Sequence, residues 1–156
     1  MIKINDFIQE KLKLNKDIKV DEYTCHPKDR FELSDILKER LKEDKNADLN
    51  DIDISKLSSL NFLFKGLDPH NIKIDQWNTS NIKHMQGVFM GCKNFDCDLS
   101  NWDVSNVEDM YGTFYGCKKF KGEGLENWKV KAINTIQTFE GCYSIKKIPS
   151  WYEKDI

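Results

Sequence analysis

Five cysteines and three histidines are the residues of this chain that could ligate a metal or pair as nucleophile and base: Cys25, Cys92, Cys97, Cys117, Cys142, His26, His70 and His84. Cys92 and Cys97 have C-x4-C spacing, but no second pair completes the four ligands that a zinc site uses. Cys25 and His26 are neighbours, yet a nucleophile and its base must meet through space, and their loop offers no oxyanion site. Asp96 and Asp98 would need further oxygen ligands to hold calcium. Gly122-Glu123-Gly124 lacks the Lys-Ser/Thr continuation of a phosphate-cradling loop. These residues predict no catalytic set, no metal and no cofactor, so the expectation is a protein that is not an enzyme.

Three of the cysteines instead share a period. Cys92, Cys117 and Cys142 are spaced by 25, as are Phe64, Phe89, Phe114 and Phe139, and Gly66, Gly91, Gly116 and Gly141. Trp77, Trp102, Trp128 and Trp151 recur at 25, 26 and 23. Self-similarity at such a period marks a repeat architecture, in which no unit buries its own apolar edge and stacking does so instead. The expectation is a repeat region over 52–156, with coils at 52–76, 77–101, 102–127 and 128–150. Phe64, Phe89, Phe114, Phe139, Trp77, Trp102, Trp128, Cys92, Cys117 and Cys142 would form its buried columns.

Within a coil the apolar spacing changes halfway. Ile82, Met85, Phe89 and Val107, Met110, Phe114 fall at i, i+3, i+7, one face of a two-turn helix. Ser80 and Ser105 are placed to cap such helices, and Ser105 with Glu108 has capping-box spacing. Ile133, Ile136 and Phe139 read as a copy one residue shorter, which calls for a local adjustment. The Gly after each Phe would end the helix in a left-handed conformation. Phe95, Cys97 and Leu99 then alternate with Asp96 and Asp98, the period of a half-buried strand. Ile72 and Ile74, Phe120 to Leu125, and Ile145 to Ile148 are its counterparts. His70 falls where later coils place Phe95 and Phe120, as a wall residue. The residues between the buried positions would face out together: Asn71, Lys73, Asp96, Asp98, Lys121, Glu123 and Lys146. They predict a mixed-charge patch suited to a protein partner.

Residues 1–51 do not share the repeat and predict an N-terminal helical cap. Residues 5–14 could form an amphipathic helix. From Lys28 to Glu43, Phe31, Leu33, Ile36, Leu37 and Leu41 outline a better one, with Arg40 and Lys42 near its end.

The chain has 156 residues and a formal net charge of -2. That balance argues against a general grip on nucleic acid, which needs a clustered basic surface. No run approaches the roughly 20 apolar residues of a membrane span. The N-terminus is broken by Lys, Asp and Glu and lacks the apolar stretch of a secretion signal. The expected location is therefore cytoplasmic, with free thiols.

The pattern W-D-V-S-N-V-x-x-M-x-x-x-F-x-G-C-x-x-F at 102–120 resembles the BspA-type leucine-rich-repeat proteins of mycoplasmas and other low-GC bacteria. F-x-G-C-Y-S-I-K-K-I-P at 139–149 is similar to the treponemal type of leucine-rich repeat. The segments 26–40 and 46–55 are similar to the lead-in of such repeats. The resemblance covers about residues 23–152. It implies an α/β fold: a short leucine-rich-repeat-like solenoid of about four helix-strand coils with an N-terminal helical cap. Family members are mostly described as surface or secreted binding and adhesion proteins. The repeat and the lack of a catalytic set lead to the expectation of a non-enzymatic protein-protein interaction module that binds a protein partner through its exposed strand face or flank. Two alternatives are a small intracellular inhibitor of a host enzyme, carried by a phage or mobile element, and a surface adhesin-like binding protein. Fold does not fix which.

Overall fold

The computed structural model describes residues 23–152. Among these there is one α-helix, α1 (Arg30–Glu43), and one short 3-10 turn (Leu125–Asn127). The helix begins where the Asp29 carboxylate accepts from the N–H groups of Phe31 and Glu32, both at 2.9 Å. Those are donors that no earlier turn can satisfy. Its inner face is Leu33, Ile36, Leu37 and Leu41, all buried. Phe31, expected on that face, is 69% exposed, with the Arg30 guanidinium 4.4 Å from its ring centroid. The proposed helix at residues 5–14 lies outside the described residues.

The 25-residue phase is realised as side-chain columns. Phe64, Phe89, Phe114 and Phe139 stack in single file, with ring centroids 5.1, 5.5 and 5.6 Å apart and planes within 9°. Trp77 lies on Trp102, and Trp128 on Trp151, each pair at 6.1 Å. Each indole also reaches back one repeat. Trp77, Trp102, Trp128 and Trp151 donate Nε1–H to the carbonyls of Leu49, Ile74, Leu99 and Leu125 at 2.7–2.9 Å. The thiols do likewise: Cys92, Cys117 and Cys142 donate to the carbonyls of Phe64, Phe89 and Phe114 at 2.9–3.2 Å. A buried thiol here is a small apolar filler with one useful proton.

The expected α/β solenoid of helix-strand coils is not what these columns are built on. Where helices were expected over Ile82–Phe89 and Val107–Phe114, the chain runs through successive turns. The reason lies at one position of the repeat. Phe62, Gly87, Gly112 and Gln137, spaced by 25, have φ of 56, 56, 57 and 56°. A left-handed residue in mid-segment interrupts a right-handed helix. A second left-handed position follows four residues later at Gly66, Gly91, Gly116 and Gly141. Ser80 and Ser105 cap nothing; their N–H groups donate to the side chains of Asn78 and Asp103 at 3.2 and 2.9 Å, closing small Asx turns. The i, i+3, i+7 apolar spacing that suggested helix is equally met by turns that return Ile82, Met85 and Phe89 to the core.

The expected strands are absent too. Strand-type bridges among the described residues are limited to five isolated parallel ones, three of them in the column Ser59, His84, Asp109, Asn134. Most other backbone bonds between repeats run one way, as in Phe62 N to Gln86 O and Phe64 N to Val88 O. No ladder grows because many carbonyls are already taken by turn bonds, as in Leu63 N to Leu60 O at 3.0 Å and Met90 N to Gly87 O at 3.1 Å. Along the expected strand at Phe95–Leu99, side chains replace the ladder. Asn94 Nδ2 donates to Asp68 at 2.9 Å, and Lys121 N donates to Asp96 Oδ1 at 3.2 Å. Phe95 and Leu99 are nevertheless fully buried. In the third repeat, Gly122 and Gly124 have φ of 69 and 82° and lead into the 3-10 turn that absorbs the one extra residue before Trp128.

The fourth repeat needs no shortening. Ile133 N donates to Glu108 O at 3.1 Å, just as Glu108 N donates to Lys83 O at 2.8 Å. Ala132 and Thr135 therefore take the apolar columns, and Ile133 and Ile136 stand outside them, 94% and 46% exposed.

Before the first expected coil, the chain already pairs with the repeats. Leu49 N donates to Lys73 O at 2.9 Å, and Lys73 N to Ala47 O at 3.1 Å.

Candidate functional site

The outward residues of neighbouring repeats meet in an open groove of about 580 Å³. Of the seven residues expected on a recognition patch, Asn71, Asp96, Asp98, Lys121 and Glu123 line it. Lys73 and Lys146 do not; Lys73 pairs with Asp48 at 3.4 Å, and Lys146 is exposed elsewhere. His70, Asn94, Cys97, Ser100, Lys119 and Gly124 complete the lining and were not singled out as contacts. The 25-residue phase could have found some of them, since Asn94 and Lys119 form the column next to Phe95 and Phe120.

The groove exists because the repeats cross it with few backbone bonds. His70 O accepts from Asp96 N at 3.2 Å, and His70 N donates to Lys45 O at 2.8 Å. Asp96 spans to the next repeat twice: Oδ1 accepts from Lys121 N at 3.2 Å, and Oδ2 from Lys121 Nζ at 2.5 Å. This ion pair raises the Lys121 ammonium pKa above its usual value. The Ser100 side chain, and then its N–H at 2.9 Å, hold the Asp98 carboxyl below the usual range. The second repeat thus brings Asp96 and Asp98 to the lining, and the third brings Lys119, Lys121 and Glu123. Gly124 forms a close approach beneath them. A Cβ there would come within 2.4 Å of Ser100 Cβ.

Cys97 sits in this groove but is not an activated nucleophile. Burial pushes its thiol pKa up, and the carboxylates of Asp96, Asp98 and Asp75 push it further. Burial likewise raises Cys92 and Cys142 to about 12. Thiolates are the form that ligates or attacks.

A second polar cluster lies near the start of the described chain. Arg40 binds Asp51 through Nη1–Oδ1 at 2.5 Å and Nη2–Oδ2 at 2.8 Å, and Thr24 donates to the same carboxylate. Burial alone would raise the Asp51 pKa; the hydrogen bonds from Arg40 and Thr24 outweigh it and lower it. His26 Nδ1 lies 3.2 Å from Asp53 Oδ2 on the surface. The neighbouring Cys25 thiol is raised, by burial first. The pair thus lacks the depressed thiol that a cysteine nucleophile needs. His84 is exposed, within the bridge column. Among the described residues no group of three or more His, Cys, Asp or Glu converges as metal ligands would. No helix among them is long and apolar enough to cross a membrane.

A chain built on this repeat defines a class, and the class has a name. The family described as Mycoplasma protein of unknown function, DUF285, matches residues 32–151, and the chain belongs to it. No curated protein and no solved structure matches.

Proposed function

We propose that this protein is a non-enzymatic interaction module, and that it binds a protein partner along the mixed-charge groove. The observation that carries this reading is the juxtaposition of Asp96 and Asp98 with Lys121 and Glu123 across two repeats, in an open channel of about 580 Å³. A groove of alternating charge selects a partner by complementarity and rejects like charge. The thiols offer packing protons instead of reactive thiolates. The resemblance of the W-x-V-S-N-V repeats to the BspA type, whose members are described as binding proteins, supports the same reading.

The test is co-purification from the source cell, comparing the unaltered chain with Asp96→Asn combined with Lys121→Gln. Asp96→Asn keeps an oxygen acceptor for Lys121 N while removing the charge. The expected result is a partner recovered at low salt and lost at least tenfold with the double variant, while Lys73→Gln retains it. Recovery that is equal for all three would rule the groove out. Turnover of any substrate, abolished by changing one His or Cys, would replace the reading with an enzyme.

A further inference from the structure

Lys83, Glu108 and Ile133 donate backward to Ser58, Lys83 and Glu108, but over the turn segment that follows each of them the bonds between repeats share one forward polarity. Amides of one repeat donate to carbonyls 24 residues later: Leu60 to His84, Phe62 to Gln86 and Phe64 to Val88, at 2.8–2.9 Å. Met85, Gly87, Phe89 and Gly91 repeat this onto Asp109, Tyr111, Thr113 and Tyr115 at 2.7–2.9 Å. Met110, Gly112, Phe114 and Gly116 repeat it onto Asn134, Ile136, Thr138 and Glu140 at 2.7–3.0 Å.

The same positions in the last repeat are Thr135, Gln137, Phe139 and Gly141. Among the described residues nothing accepts from their N–H groups. The carbonyls of Thr135, Gln137 and Phe139 are already used, accepting from Thr138, Glu140 and Cys142 at 3.1–3.3 Å. The edge therefore presents donors with few acceptors between them. A row of unpaired backbone groups is a template for another chain.

Two further observations say what covers it. First, four columns that are largely polar in the inner repeats turn apolar here. Ile133 follows Ser58, Lys83 and Glu108; Ile136 follows Asn61, Gln86 and Tyr111; Tyr143 follows Asp68, Lys93 and Lys118; Ile148 follows Lys73, Asp98 and Glu123. All four are exposed, Ile133 by 94% and Tyr143 by 81%. Second, residues 128–152 hold four lysines against one glutamate, in a chain whose net charge is -2. The repeat beneath, 102–127, has five acidic residues against three lysines.

We propose that the last repeat is a docking edge for an extended, acidic segment of a partner polypeptide, laid parallel to it. The segment's carbonyls accept from Thr135, Gln137, Phe139 and Gly141, its apolar side chains cover Ile133 and Ile136, and its carboxylates face the lysines. This is strand addition without a preformed sheet: main-chain bonds hold the segment and side chains select it. The edge is a different surface from the mixed-charge groove.

The probe is a synthetic peptide of residues 107–116, VEDMYGTFYG. Within the chain, its carbonyls at Asp109, Tyr111, Thr113 and Tyr115 already accept from four amides in this register. Titrated into the full chain labelled with 15N, it should shift the amide resonances of Thr135, Gln137, Phe139 and Gly141 and slow their hydrogen exchange at least tenfold. The peptide with both acids changed to lysine, VKKMYGTFYG, should bind at least tenfold more weakly, and added salt should close that gap. Ile133→Glu and Ile136→Glu alter exposed side chains and should weaken binding at least tenfold with the fold intact by circular dichroism. Asp96→Asn, in the groove, should leave it unchanged. Four amides unmoved at about 1 mM peptide, a scale on which even weak binding registers, would overturn the proposal. So would equal binding of the lysine peptide. Self-association of the chain, abolished by Ile133→Glu, would overturn it in favour of a second copy as the occupant.

Discussion

Arg40 holds Asp51 with two parallel hydrogen bonds, Nη1–Oδ1 at 2.5 Å and Nη2–Oδ2 at 2.8 Å, where the side chains are only 13% and 19% exposed. Arg40 Nε is buried with no partner, so the guanidinium depends on this one carboxylate. The pair ties α1 to the start of the repeats. Removing one member of a fully buried pair costs about 3–5 kcal/mol; partial exposure reduces that here to about 2 kcal/mol for Asp51→Asn. The Asp51 pKa is lowered in the folded chain, so its contribution is present above the unfolded value of about 3.9 and is lost as pH falls through the folded value. Urea unfolding from pH 7 to pH 2 should show a gap between the two proteins that is constant above about pH 5 and closes below. A gap independent of pH would mean the carboxylate charge plays no part.

Gly87 lies under the Phe62 ring. A Cβ at Gly87 would come within 2.5 Å of Phe62 Cε1, and φ there is +56°. Gly87→Ala therefore meets both a clash and a left-handed penalty and should cost about 2–3 kcal/mol. Adding Phe62→Ala removes the clash but not the backbone strain, so it should restore part of the loss. Full additivity in a double-mutant cycle would show that the ring is not the obstacle.

The phase of 25 was readable because stacking demands that one side-chain type recur in each column; the Phe file and its Cys neighbour follow from spacing alone. Helix α1 was readable because Leu33, Ile36, Leu37 and Leu41 repeat at helical intervals, with Arg40 and Lys42 near its end. Helix and strand inside the repeat were misread for a physical reason. Any backbone that returns Ile82, Met85 and Phe89 to the core yields the same apolar spacing. The decisive position carries Gly only at Gly87 and Gly112, and is hidden by Phe62 and Gln137. Five of the seven expected patch residues line the groove, since outward alternation does not depend on a ladder forming. Ile133 and Ile136 were placed in the core because apolar character was read ahead of phase; the Glu108–Ile133 bond shows phase prevails.

Cys117 is fully buried and its Sγ donates to Phe89 O at 3.0 Å. Burial, with smaller contributions from Cys92 and Cys142, raises its pKa. At pH 8, Cys92 and Cys117 should react with a thiol reagent only at the rate of unfolding. Cys117→Ala should cost about 1 kcal/mol, from a small cavity and the loss of one of two hydrogen bonds to Phe89 O, which still accepts from Cys92 N at 2.9 Å. Rapid stoichiometric labelling of Cys117 in the native chain would contradict the buried thiol column.

The indole ladder should differ in strength along its length. Trp102 is 3% exposed and donates Nε1–H to Ile74 O at 2.8 Å, while Trp151 makes the equivalent bond to Leu125 at 2.7 Å from a partly buried position. Trp→Phe keeps most of the apolar area but removes one of two hydrogen bonds to the carbonyl below: Ile74 O still accepts from Trp77 N at 3.2 Å, and Leu125 O from Trp128 N at 3.1 Å. One lost bond in the dry interior costs about 0.5–1.5 kcal/mol, whereas one that water can replace costs less. Trp102→Phe should therefore lower the urea midpoint clearly at unchanged m, and Trp151→Phe should lower it only slightly. Equal losses would show that the hydrogen bond is incidental and that stacking on the neighbouring indole carries the column, because both variants retain a ring that can stack.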